Sequence, residues 1–224
     1  AYKSVVVKPF FRDHFARLDR QIVLIDALQA INRGQEAVQD LERALSDVLA
    51  CFRPGNNSLL SSLLGRRIDK VLVAATKADH IHHESHEALE KLTARLVDRA
   101  MHRIGMSGAG IDVMAIASVR ATREATVNEG GHALPVIVGT PMPGERIGTE
   151  TFDGNRKTAI FPGDLPGDPE LFFKGLGNGG EMPEINFVRF RPPAVEEAGG
   201  GIRLSVPHIR LDRAMQFLFG DRLA

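Results

Sequence analysis

The decapeptide Val71–His80, VLVAATKADH, runs five small or branched apolar residues into a lysine and an aspartate two positions apart. Opposite charges released at the mouth of a buried strand have two uses. They hold the strand end in water, or they offer a ligand an anionic acceptor beside a cation, and charge-assisted hydrogen bonds are roughly twice as strong as neutral ones. Ser118-Val119-Arg120 follow a second apolar run, Ile111–Ala117, and so form a second loop at a strand end. Asp26 closes a third run, Gln21–Asp26, where a carboxylate either holds magnesium through water or caps the turn that follows. Its place one crossover before the Lys77–Asp79 turn favours the cap, and Asp26 receives no catalytic role. His80, His82, His83 and His86 crowd together, and His82 with His86 have the i, i+4 spacing that grips zinc on a helix face. No cysteine or distant third ligand accompanies them, and Glu84 and Glu87 lie among them, so the sequence favours solvated histidines and no metal site.

These residues need elements to position them. Gln21–Asp26 and Ile68–Ala75 are continuous apolar runs of the kind buried on both faces of a parallel sheet. Between them Gln35–Phe52 places Val38, Leu41, Leu45, Val48 and Phe52 at helical spacing, and Arg53–Asn57 stops the pattern. Glu84–Ile104 repeats it with Leu89, Leu92, Leu96, Ala100 and Ile104, and Gly105 stands where a helix ends. Strand, helix, strand, helix, strand predicts an α/β doubly wound sheet with parallel crossovers. Ligands in such sheets sit beyond the carboxyl ends of the strands, so Asp26, Thr76–Asp79 and the residues after Ala117 fall on one edge.

From about Asn128 the composition shifts. Glycine and proline crowd Gly139–Gly148, Phe161–Gly167 and Gly175–Pro183, and short alternating runs appear at Leu134–Val138, Ile185–Phe190 and Ile202–Val206. The division predicted is an α/β domain over 1–127 and a smaller β-rich region over 128–224, closed by the amphipathic helix Arg210–Phe219. Phe161–Asp168 reads as proline-glycine turns. Arg203, His208, Arg210, Asp212 and Arg213 read as an ion-paired helix start.

Twenty-eight basic residues balance twenty-eight acidic ones, which removes the electrostatic case for nucleic acid as a partner. A single cysteine, Cys51, excludes an internal disulfide framework and fits a reducing, cytoplasmic setting. No run approaches the roughly 18 apolar residues that span a bilayer, and AYKSVVVKPFF lacks the order of a secretory signal. The chain starts with alanine at the strand-like run Tyr2–Val7, and the expectation is that an upstream portion exists.

Placed on this sheet edge, Thr76-Lys77-Ala78-Asp79 resembles the NKxD base-recognition element of GTPase-type P-loop proteins, and Ala117–Ala121 resembles the loop usually written SAK. The resemblance implies that Asp79 accepts from the ring N–H and the exocyclic amino group of guanine, a pattern adenine lacks. It implies that Lys77 lays its stem along the base, and that Ser118, Val119 and Arg120 present backbone N–H to the guanine carbonyl. Thr76 stands where most such proteins have asparagine, and a hydroxyl ties neighbouring loops less fully than an amide.

Longer stretches carry a more specific likeness: VVVKPFFRDHF (Val5–Phe15), DRQIVLIDALQAINRG (Asp19–Gly34), AATKADHIHH (Ala74–His83), ASVRATRE (Ala117–Glu124), IFPGDLP (Ile160–Pro166) and VPHIRLDRAMQFLFGD (Val206–Asp221). With these the sequence resembles the YcjX-like family (DUF463) of bacterial P-loop GTPases linked to the phage-shock stress response, over essentially the whole chain. The family implies GTP or GDP as ligand, Mg2+ in the complete protein, and slow hydrolysis serving a cytoplasmic switch, with access to the inner membrane through a partner. The phosphate-binding GxxxxGK[ST] is absent from the 224 residues and is expected upstream. A different class of function also fits, an interaction module engaging a membrane-associated stress-response protein; a metal-dependent hydrolase is third. The catalytic residue and the oligomeric state receive no assignment.

Overall fold

The computed structural model describes residues 18–49, 68–105, 108–174, 185–193, 197–198, 201–202 and 207–223. The Tyr2–Val7 run, Val5–Phe15, Cys51 and Phe52, the Arg53–Asn57 stop, Gly175–Pro183 and Arg203–Val206 lie outside these residues.

Three strands, β1 (Arg20–Ile25), β2 (Lys70–Ala75) and β3 (Gly110–Ala115), form a parallel sheet in the order β1-β2-β3. The register pairs Ile25 with Ala75 and Ala75 with Ala115, so all three strands end at one level. The loops that follow them are therefore neighbours. β2 is central, and its unbroken run Val71–Ala75 is buried on both faces, which is why it shows no alternation. On one face Val71, Val73 and Ala75 pack under α1 (Ala27–Asn32), α2 (Gln35–Leu49) and α3 (His86–Gly105), chiefly through Leu28, Ile31, Val38, Leu89, Leu92 and Leu96. Val48, predicted on the buried face of α2, is 49% exposed, and Leu49 takes the inward position. The six residues of α1 were not predicted as helix, being too few to show a helical period.

On the other face, Leu72, Ala74, Met114 and Ile116 meet Ala214 and Leu218 of the last helix, α5 (Leu211–Phe219), where α5 is preceded in the chain by the short α4 (Leu171–Lys174). The helix that composition groups with the β-rich region thus lies on the sheet of the first half. Charge fixes it there. Arg20 donates to both oxygens of Asp221 at 2.7 Å, and Lys70 Nζ reaches Phe217 O at 2.7 Å and Asp221 Oδ1 at 2.9 Å. These two cations hold the Asp221 carboxyl well below the usual carboxylate range. The fold class is α/β, a parallel sheet flanked by helices and followed by small antiparallel sheets.

The antiparallel part opens with the hairpin β4 (Arg123–Glu129) and β5 (His132–Gly139), joined by Gly130 and Gly131 at φ 58 and 86. A two-residue turn with positive φ at both positions matches the strand twist, and glycine adopts it without strain. β8 (Thr158–Ile160) adds to β5, after the short pair β6 (Arg146–Ile147) and β7 (Glu150–Thr151); β9 (Glu197–Ala198) pairs with β10 (Gly201–Ile202). Ile185–Phe190, predicted as a strand, forms no ladder. It runs beside Thr140–Met142 with one antiparallel bridge, Pro141 to Phe190, and Pro141 has no N–H to extend it.

Candidate functional site

The turn after β2 is tied on every side. Thr76 donates both its N–H (2.9 Å) and its hydroxyl (3.2 Å) to Ile25 O at the end of β1. Ala78 N–H reaches Ile116 O, at 3.1 Å, beyond the end of β3. His86, on the first turn of α3, contacts Ala78 O through Nε2 at 2.9 Å. Held between these anchors, Lys77 adopts φ 63 and ψ 33, a left-handed conformation that costs a non-glycine residue about 1–2 kcal/mol. Its ammonium pairs with Asp26 Oδ2 at 2.5 Å, while Asp26 Oδ1 accepts the Gln29 N–H and caps α1.

Asp79 is 3% exposed. Its Oδ2 accepts the backbone N–H of Ala121 at 2.8 Å, and its carbonyl accepts the Thr122 hydroxyl, so the β2 turn and the loop after β3 are bonded to each other. Oδ1 faces His80 Nε2 at 4.0 Å. Each carboxylate oxygen has two acceptor positions, which leaves the group capacity for a ligand's donors. The loop after β3 is fastened from a third direction by the C-terminal segment: Ala117 and Ile209 exchange backbone hydrogen bonds of 3.1 and 2.8 Å, and Arg120 N–H reaches Pro207 O at 2.7 Å.

Between these loops lies a cavity of about 440 Å3 lined by Thr76, Lys77, Asp79, Ser118 and Val119, with His80, Ala121, Phe190, Pro192 and Leu211 completing its wall and Ile22 and Leu24 reaching it from β1. That volume falls within the roughly 300–1,000 Å3 of small-molecule sites. Five of the six residues singled out from the sequence line it. Arg120 instead lines a neighbouring cavity of about 1080 Å3, its Nε donating to Thr122 O at 3.1 Å and a terminal nitrogen lying 3.2 Å from Glu124. A third, smaller cavity of about 300 Å3, with Asp26, Gln29, Arg33, Glu145 and Arg189, shares Lys77 and His80 with the first.

Sequence reasoning missed Ala121, which acts through its backbone, and the aromatic edge Phe190, whose ring stands at 82° to that of His80 with centroids 5.2 Å apart. Phe190 fits because residue 139 is glycine. A Cβ there would lie 2.5 Å from Phe190 Cδ1 and 3.1 Å from Thr122 Cγ2. Gly139→Ala is therefore expected to push the ring off the cavity wall and to lower stability by about 1–3 kcal/mol, the usual cost of overpacking. An unchanged melting temperature would show that the ring moves aside freely.

Burial lowers the pKa of His86 despite the opposing effect of its bond to Ala78 O, and burial likewise lowers that of His80 against the pull of Asp79. Both rings hold a proton less readily in the folded chain than in the unfolded one, where they protonate near the ordinary pKa of about 6.5. The unfolded state then binds more protons, so stability is level above pH about 6.5 and falls as the pH drops below it. Thermal melts from pH 7.5 to pH 5 are expected to show that decline, and to show a shallower one in His86→Gln; equal slopes would remove His86 from the effect.

Comparison with known proteins gives a consistent picture. A family model described as the YcjX-like family, DUF463, matches residues 1–223. A protein from Escherichia coli (strain K12) named Ras-like GTPase YcjX is 34% identical over 224 residues, which cover 99% of this chain and 43% of that relative. A protein of the same name from Shewanella oneidensis (strain MR-1) is 32% identical over 225 residues, 99% of this chain and 42% of the relative. The chain thus spans less than half the length of these curated relatives.

Proposed function

The chain belongs to the YcjX-like family, and on that premise we propose that it supplies the guanine-recognition loops of a GTP- and GDP-binding protein. The observation that carries the reading is Asp79, a carboxylate buried to 3% exposure on the wall of the 440 Å3 cavity, on the same rim as Ser118 and Val119. Guanine offers adjacent N–H donors to such a carboxylate and adenine does not, so the buried charge discriminates between them; a mispaired buried charged group costs on the order of 1–3 kcal/mol or more. Lys77 contributes its stem along the base, Thr76 fastens the turn to β1, and Ser118 and Val119 contribute backbone N–H groups. Arg120, expected from the sequence to join them, holds the loop in place instead: its N–H is donated to Pro207 O and its side chain is engaged by Thr122 O and Glu124.

Magnesium and slow hydrolysis belong to the proposal for the complete protein. Among the described residues Asp26 does not suit the ion, because one oxygen caps α1 and the other pairs with Lys77. We assign no catalytic residue. The proposed division is a nucleotide-binding part over 1–127 and a family-specific region over 128–224 that buttresses the guanine loop through Pro207 and Ile209. No helix among the described residues is long and apolar enough to cross a membrane; a cytoplasmic setting is part of the proposal.

The test is titration of the intact protein with a fluorescent GDP. Displacement by GDP and GTP, with ATP unable to compete at a hundredfold higher concentration, is the expected result. Equal competition by ATP, or no binding, would transfer the function to an interaction role.

A further inference from the structure

We propose that His82, His83 and Glu84 form a binding site for a divalent transition-metal ion, with Glu124 as the carboxylate that orients the His83 imidazole and lies beside that of His82. One ligand atom from each of the three residues lies within 4.8 Å of the others. Ligands at about 2.0–2.2 Å from a zinc ion stand no more than about 4.4 Å apart, and His83 and Glu84, both on the surface, close the difference by small rotations. Two imidazoles and one carboxylate are a borderline donor set suited to zinc, with a fourth position for water.

Two observations point to a ligand. Nδ1 of His82 is buried and has no hydrogen-bond partner, although a buried ring nitrogen is normally paired. It sits 3.6 Å from Glu84 Oε2. On the other side, Glu124 Oε2 lies 2.6 Å from His83 Nδ1 and 3.7 Å from His82 Nε2. A carboxylate there accepts Nδ1–H from His83 and leaves a lone pair on its Nε2, while its charge near His82 Nε2 favours the tautomer that leaves a lone pair on His82 Nδ1. Carboxylates in this position orient metal-binding histidines and raise their basicity.

Glu124 is the distant partner that the histidine tract lacks in the linear sequence. It is the second residue of β4, just after the loop that bonds Asp79, while His82 follows the turn that carries Asp79. A metal held here joins the two base-site loops from outside the cavity. The inference does not depend on what that cavity binds.

The experiment uses the intact protein stripped of metal with a chelator and titrated with zinc chloride alone, binding read by calorimetry and by metal content after desalting. One equivalent is expected, with a rise in melting temperature. Glu84→Gln and His83→Ala, both at surface positions, and Glu124→Gln are each expected to weaken zinc binding by about 10–100-fold. His82→Asn is expected to abolish it, with the metal-free melting temperature checking that the variant folds. His102→Asn, an exposed histidine on α3, is expected to change nothing. Failure to bind zinc, or binding that persists in Glu84→Gln and His83→Ala, would overturn the site.

Discussion

Asp79→Asn is expected to lower GDP affinity by about 10–100-fold and to raise affinity for xanthosine diphosphate. The carboxylate offers acceptors only, and guanine answers with two adjacent donors. An amide offers one acceptor and one donor, which suits a base carrying a ring N–H beside a carbonyl, as xanthine does. A hydrogen bond to a charged group contributes about 1.5–3 kcal/mol, and each 1.4 kcal/mol is tenfold in affinity. The substitution separates recognition from architecture. The asparagine carbonyl keeps an acceptor for the Ala121 N–H, so the two loops stay bonded, whereas Asp79→Ala removes that anchor as well. Equal GDP affinity in the wild type and Asp79→Asn would sink the guanine reading, provided both melt at the same temperature.

Leu218→Asp is expected to destabilise the fold by about 3–5 kcal/mol. Leu218 is 3% exposed against Leu72, Met114 and Ala214, on the sheet face opposite α2 and α3. Loss of a buried leucine alone costs about 2–5 kcal/mol, and a carboxylate in that contact adds an unpaired charge. For a chain of this size each kcal/mol moves the melting temperature by roughly 2–4 °C, so a fall of about 6–20 °C is expected. The segment leading into α5 also holds the loop after β3, through Ile209 and Pro207. Limited proteolysis should therefore open both α5 and the Ser118–Arg120 loop. Cleavage confined to the C-terminal residues would show that the loop keeps its shape without the helix.

Much of this protein was legible from local pattern. The apolar run Val71–Ala75 announced a strand buried on both faces, and the leucines of α3 announced its inward stripe, because strand and helix periods are properties of consecutive residues. The likeness of Thr76–Asp79 and Ser118–Val119 to known loops, with their order at strand ends, brought them to one edge, and the register of the three strands does so in the fold. Side-chain direction was less accessible. Arg120 turned to the neighbouring cavity because Thr122 O and Glu124 compete for it, and no spacing rule encodes that competition.

The sequence by itself determined the three strands of the parallel sheet and the helices α2, α3 and α5, and which loop residues carry charge suited to a ligand. Only the tertiary structure decided that α5 covers the second sheet face, that Phe190 and His80 wall the cavity, and that Glu124 meets His83 across 41 residues. The physical reason is range. Periodicity and turn chemistry act between residues a few positions apart, while these adjacencies arise when separate elements compete to bury apolar surface and pair charge, and that competition is settled by the whole chain at once.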